Sequence, residues 1–346
     1  MLIVPERAGP AHPLASSPAR GPGSARRTTS IDTSRPEGLR RNSVVDARAR
    51  DLFTDSSGRA LPEQAQSCRA HIAPNRKLLS IEADPPEPRL SQLIGLPVGP
   101  GFRASMAEIL PDHAQRQTLL YALLDDLPGA TLVSGYAVQR GEAAVLPKVP
   151  VSGADTLAQH VGAAENMCAG WATEATIVVT FRQKGSVPAP MGPDAPLLER
   201  EGDALSWHRM EPLPPESTRR RRRLDLIPPV DTDQPWVFDS HFRDSYRDAL
   251  GEETVVHEYV VEGALDHSRT RIAEARTDAR VLPWVECPGA VVSTARMAGK
   301  SLTELRAEVR SEFVGTTTCT HLNDSFRSLS DLVPLRALVD EAGGAR

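Results

Sequence analysis

The sequence predicts an α+β fold, an antiparallel β-sheet meander with C-terminal helices packed on it. Two patterns and one compositional feature lead there. Short β-compatible runs divided by turn-like breaks recur in both halves of the chain. In the second half, helical patterns follow the strands instead of alternating with them, which is the signature of α+β folds. The chain also holds 30 prolines, which favours loops and short elements over long helices.

Taken in order, residues 1–25 are rich in Pro, Gly, Ala, Ser and Arg without periodicity, and are expected to form a disordered tail. Order is expected to begin at RRTTSID, Arg26 to Asp32. SVVDARARDLFT, SCRAHIA and KLLSIEAD then read as strands with hairpin connections. In QRQTLLYALLDDLPG, Leu119, Leu120, Leu123, Leu124 and Leu127 recur at helical spacing, and Pro128 and Gly129 are expected to end that helix. ATLVSGYAVQR and TEATIVVTFR read as strands, and residues 141–165 show no assignable pattern. A Pro/Gly-rich loop occupies about 185 to 216.

Beyond it, VFDSHFRDSY, ETVVHEYVVEGALD and RTRIAEARTDARV form a meander with turns at RDALGEE and LDHSR. Period-two alternation puts Val255, His257, Tyr259 and Val261 on one face of the middle run. PGAVVSTARMAG, SLTELRAEVRSEF and THLNDSFRSLSDLVPLRALV read as helices. No internal repeat is read. The ordered region 26–340 is expected as one domain, or as two subdomains, 26–185 and 217–340, joined by the Pro-rich loop.

With 40% hydrophobic and 25% charged residues, the 346-residue chain has the composition of a soluble globular protein. A net charge of −5 argues against a nucleic-acid partner, and 4% aromatics argue against a large ring-lined pocket. No stretch approaches the roughly 18 apolar residues of a membrane helix, so no membrane association is expected. The four cysteines, Cys68, Cys168, Cys287 and Cys319, are too widely spaced for a disulfide-stapled domain. The apolar run Leu2 to Val4 is too short for a signal-peptide core. A cytoplasmic location with reduced thiols is therefore expected.

Two cysteines stand where chemistry is favoured. Cys287 directly precedes Pro288 and an Ala/Val-rich helical pattern, which makes it an N-cap beside the positive end of a helix dipole. Cys319 sits in the same kind of place, two residues before His321. Such positions favour the thiolate, which is both the nucleophile and the metal-binding form. Cys287, Cys319 and His321 are thus candidate catalytic residues, and with His257 they form a candidate metal set for zinc or an iron–sulfur cluster. The competing reading makes the cysteines small core hydrophobes and His257 a core histidine bonded to a carbonyl.

The run Arg219 to Arg223 offers a patch for a phosphate-bearing ligand, through Arg219, Arg220 and Arg221, against a reading in which the arginines pair with Asp and Glu. Asp125 and Asp126 could hold magnesium, but their place before Pro128 reads better as a solvated turn. Trp207 and His208 serve either as pocket lining or as a loop anchor. There is no phosphate-binding glycine loop, no nucleophile elbow and no H-E-x-x-H.

RRTTSID, DSHFRDSY, VVHEYVVEGALD, the Pro-x-x-x-Cys of PWVEC, MAGKSL and CTHLND together resemble DUF2889, a bacterial domain family of unknown function, from about Arg26 to about Leu335. Thr318 stands where that family usually has glycine. The C-terminal third is also similar to NifU/IscU-type iron–sulfur scaffold proteins, and that likeness implies the ligand set Cys287, Cys319, His321 and His257. The expected function is a metal- or thiol-dependent enzyme acting on a small molecule. The alternative is a non-catalytic holder of a metal, cluster or ligand.

Overall fold

The computed structural model describes residues 9–61, 64–145, 161–162, 164–185, 187, 189–231 and 233–344. One antiparallel sheet of eight strands runs through the molecule in the order β4-β3-β2-β1-β5-β6-β7-β8. The strands are β1 (Ala25–Ser34), β2 (Ser43–Phe53), β3 (Gln64–Ile72), β4 (Leu78–Asp84), β5 (Ser217–Ile227), β6 (Val237–Arg247), β7 (Glu253–Leu265) and β8 (Ile272–Val281). Two four-strand meanders are thus fused through the central β1–β5 pair, in the α+β class the sequence predicts. The sheet is continuous across the two regions that were candidate subdomains.

Contrary to the reading of no repeat, the two meanders are copies of one unit. Arg26 pairs with Asp225 and Arg219 with Asp32, which exchanges partners across the β1–β5 seam at a constant offset of 193 positions, 26 to 219 and 32 to 225. The same offset carries the Arg27–Asp51 pair onto Arg220–Asp244. It carries the turn with Gly58 at φ 85° onto the turn with Gly251 at φ 90°. Arg76 and Arg269 match as well, both left-handed at φ 65° and 58°.

Helices follow each meander. The first set is α1 (Phe102–Ile109), α2 (Pro111–Arg116), α3 (Leu119–Val133) and α4 (Gly135–Val145). Between the units lies α5 (Thr176–Lys184), and after the second come α6 (Leu305–Glu312), α7 (Thr320–Ser328) and α8 (Leu332–Gly344). Short 3₁₀ segments stand at Pro88–Leu93, Ala169–Trp171, Cys287–Met297 and Leu329–Asp331. Each unit buries its own apolar core. One is built on Ile31, Val45, Leu78, Phe102 and Leu124, the other on Phe242, Tyr259, Leu305, Leu322 and Phe326.

Three local expectations are corrected. TEATIVVTFR forms helix α5, not a strand. Its first-turn N–H and hydroxyl at Thr176 are both capped by Glu286 Oε1, at 2.8 and 2.7 Å, from a distant part of the chain. Ile177 and Val178 then anchor it in the second core, so tertiary packing overrides the β preference of its branched residues. ATLVSGYAVQR is also helical, because α3 continues through Pro128 to Val133. Nearby, Arg103 Nε donates to the carbonyl of Asp125 at 2.8 Å, close to where the proline interrupts the helical ladder. Residues 9–24, read as part of a disordered tail, lie along the sheet. Ala11 bridges Val281, and Ser17 is buried and accepts from Trp207 Nε1 at 2.8 Å.

The sheet therefore has two covered faces. The helices cover one. Residues 9–20 and the described part of 189–215 cross the other, where His208 is anchored to Ser30 and Thr28 at 2.8 and 2.9 Å.

Candidate metal centre

Period-two alternation splits the arginine run between those faces. Arg219, Arg221 and Arg223 turn away from the helices, toward Asp32, Glu199, Asp225 and Asp239. Arg220 and Arg222 point under the helices. Arg220 is 2% exposed and meets Asp244, Asp126 and Asp324 at 2.9, 3.1 and 2.9 Å, while Arg222 grips Asp126. Arg219, Arg220 and Arg221, the candidate phosphate patch, are all buried and paired with carboxylates.

Asp125 and Asp126 are likewise not solvated turn residues. They are buried in α3 and face arginines from both units, Asp125 meeting Arg306 at 2.5 Å and Arg327 at 3.4 Å. Across the seam, Arg27 of the first unit reaches Asp331 of the second at 3.2 Å, and Arg220 of the second reaches Asp126 of the first. Six arginines (27, 103, 220, 222, 306, 327) and six aspartates (51, 125, 126, 244, 324, 331) make one buried, charge-balanced lattice between the cores.

The lattice positions Asp244. Arg220 donates Nε to its Oδ1 at 2.9 Å and Nη2 to its Oδ2 at 3.1 Å, a bidentate clamp. β6 pairs Asp244 directly with His257 of β7, and His321 in the first turn of α7 stacks on His257 with ring centroids 3.7 Å apart. His257 Nδ1 lies 3.6 Å and His321 Nε2 4.0 Å from Asp244 Oδ2. Among the described residues, Asp244, His257 and His321 are the group of metal-capable donors whose ligand atoms all fall within 4.8 Å.

The protonation states suit ligation. Burial opposes ionisation of Asp244, but the Arg220 guanidinium outweighs it, with help from the imidazoles, and holds the carboxyl well below its usual range. Burial, reinforced by the neighbouring His257, pushes His321 down to about 3, so its ring is neutral at pH 7 and carries a free lone pair. His257 Nδ1 is buried and has no hydrogen-bond partner.

The cysteines gather one step further in. Cys319 is the N-cap of α7, with Sγ 3.8 Å from His321 Nδ1. Cys287 opens its 3₁₀ helix and packs on Gly170, where a Cβ would come within 2.8 Å of its sulfur. The four residues of the sequence-derived metal set are thus divided. His257 and His321 join Asp244, while Cys287 and Cys319 pack with Tyr259 in the second core. Burial raises both Cys287 and Cys319 and outweighs the nearby backbone N–H groups, which opposes the thiolate form.

Sequence reasoning missed Asp244. It was marked by repetition, since DARARDLFTDSSG and DSHFRDSYRDALG share the pattern D-x-x-x-R-D-x-x-x-D-x-x-G. At the 193-position offset, His257 corresponds to Gln64 of the first unit, so the donor pair on the strands is specific to the second unit.

Residues 218–333 match the family model DUF2889, described as a protein of unknown function. The matched segment is narrower than the expected span, and it contains Asp244, His257, Cys287, Cys319 and His321 but not the first unit or Cys168. No curated protein and no solved structure matches the chain, so the likeness to iron–sulfur scaffold proteins finds no structural counterpart. No helix among the described residues is long and apolar enough to cross a membrane.

Proposed function

Since the DUF2889 match brings no reaction with it, we propose a function from the site itself: a metal-dependent enzyme of the cytoplasm, acting on a small molecule. Its divalent transition metal is held by Asp244, His257 and His321. The observation that carries this reading is the buried, unpartnered His257 Nδ1, 3.6 Å from a carboxylate oxygen that His321 Nε2 also approaches. A buried polar atom without a partner is destabilising by about 1–3 kcal/mol, and a cation between these three donors removes that penalty.

Two imidazoles and a carboxylate are the donor set of zinc hydrolytic sites and of non-haem iron(II) sites, and three protein ligands leave a position for water or substrate. The side chains of His257 and His321 keep 12% and 16% exposure, so that position opens toward solvent. Arg220 orients the carboxylate from behind, as outer partners of metal ligands do. Ligation requires a rearrangement. An imidazole lone pair lies in its ring plane, so two rings stacked 20° from parallel do not aim at one ion until one of them turns out of the stack, by roughly tens of degrees.

The test is anaerobic purification followed by elemental analysis and an absorption spectrum. About one equivalent of zinc or iron is expected in the wild type, with a clear loss in His257→Gln. That substitution installs the residue found at the matching position of the first unit. Wild-type protein that neither retains nor takes up either metal contradicts the proposal.

A further inference from the structure

We propose that the sheet face opposite the Asp244 centre carries a second, independent site, a cavity for a small molecule bearing an oxyanion, phosphate or carboxylate. The cavity has a volume of about 550 Å³. That lies within the roughly 300–1,000 Å³ of small-molecule sites. Its floor is formed by β5 to β8 on the face that Arg223 and Asp239 share, and its rim by the N-terminal segment Leu14–Pro18 together with Arg200. The segment that crosses this face is therefore also a wall of the cavity.

The cavity is a feature of the repeated unit. The first unit has a counterpart of about 180 Å³, whose Ser30, Asp46 and Arg69 fall at the 193-position offset on Arg223, Asp239 and Glu262 of the larger one. The covering segments are held alike. Arg26 donates Nη2 to the Pro18 carbonyl at 3.0 Å beside the larger cavity. Its repeat partner Arg219 donates Nη2 to the Glu211 carbonyl at 2.5 Å beside the smaller one. The two hollows differ in charge. Two arginines and three carboxylates line the smaller, whereas four arginines and three carboxylates line the larger. The balance thus changes from negative in the first unit to positive in the second.

Three of the four arginines have an acidic partner: Arg223 pairs with Asp239 at 2.8 Å, Arg280 with Asp278 at 3.0 Å, and Arg276 with Glu262. Arg200 is the cation left over. Among the described residues it meets no carboxylate, and its Nη1 makes one long bond, 3.4 Å, to the Ser17 carbonyl. Arg280 holds Asp278 through Nη1 alone and leaves its Nε without a partner. A guanidinium offers paired N–H donors that match the oxygens of a phosphate or a carboxylate, so Arg200 and Arg280 supply the recognition. The N-terminal segment is tied to both. The His12 N–H donates to the Arg280 carbonyl at 2.9 Å, and Ser17 accepts from Arg200. An anion seated between the two arginines therefore holds that segment against the sheet.

The test titrates inorganic phosphate, and separately succinate, into the full chain at constant ionic strength. The chain is first stripped of metal with a chelator and desalted, so that no ion at the Asp244 centre takes up the anion. Saturable binding is expected, weakened about tenfold or more in Arg200→Gln and in Arg280→Gln. It should be unchanged in Arg48→Gln, which alters only the smaller cavity. Saturation by phosphate, by succinate or by both supports the site and shows which oxyanion it prefers. Binding should also slow hydrogen exchange at the Leu14 and Ser17 amides, which donate to Glu258 and to the Leu198 carbonyl. No saturable binding of either anion, the same affinity in Arg200→Gln, or binding that leaves those amides unchanged overturns the proposal. Failure leaves the Asp244 centre standing, because the cavity lies across the sheet from it.

Discussion

Lowering the pH from about 8 to about 5 should weaken this fold by an amount set chiefly by its buried histidines. His208 is the cleanest case. It is 7% exposed, both ring nitrogens bond hydroxyls, and burial, aided by Arg50, Arg221 and Arg219, pushes it down to about 3. His241 is driven to about 4 by burial against the pull of Glu258, and His321 to about 3. The sign follows from where protons bind. Between the folded values and the unfolded value near 6.5, the unfolded chain holds a proton that the folded chain does not. Stability is therefore complete above about pH 6.5 and is lost as pH falls through the window.

At pH 5 the loss per histidine is about 2 kcal/mol, fixed by the unfolded value alone once the folded one lies well below 5. Three such residues give a loss of about 6 kcal/mol, a large part of a typical domain's stability. His321 has an exposed edge and contributes somewhat less. Urea titrations at the two pH values measure this directly. In His208→Gln, where an amide can still bond Ser30 and Thr28, the loss between pH 8 and 5 should shrink by about 2 kcal/mol. An unchanged loss in that variant refutes the assignment of a neutral buried His208.

Other perturbations probe the lattice beneath the site. Arg220→Met strands Asp244, Asp126 and Asp324, and should cost about 3–5 kcal/mol in chemical denaturation; a change under about 1 kcal/mol contradicts the lattice. Gly129→Ala places a methyl group against Arg220 and 2.6 Å from Asp324 Oδ2, so a loss of about 1–3 kcal/mol is expected, readable as a lowered thermal midpoint. Deleting residues 1–18 removes Ser17 from Trp207 and the Leu14 N–H from Glu258, and should lower the denaturation midpoint and alter tryptophan emission. A tail without structure predicts neither effect.

The sequence made the meander legible because alternation and turn residues are local signals. β6, β7 and β8 fall where VFDSHFRDSY, ETVVHEYVVEGALD and RTRIAEARTDARV placed them, and His257 keeps the alternation with Tyr259 and Val261, but Val255 leaves it at the bulge where Asp244 pairs with His257 and Ser245 with Val255. α5 escaped because its cap, Glu286, is supplied from across the fold. Asp125 and Asp126 were misread because adjacent acids before Pro-Gly are usually solvated, and only the arginines of distant strands explain their burial. The site was half visible. Its histidines stood out by type, but Asp244 belongs to it through strand register. The repeat was present in the letters, and reading it would have singled out Asp244.

The central claim is that Asp244, His257 and His321 hold one divalent metal. Calorimetric titration of Zn²⁺ into reduced, metal-free chain tests it most directly, with His257→Gln measured alongside. The account predicts that the variant loses one equivalent of binding, or at least tenfold in affinity at that equivalent, while its urea midpoint at pH 8 stays near the wild-type value. Identical isotherms for wild type and His257→Gln would contradict it.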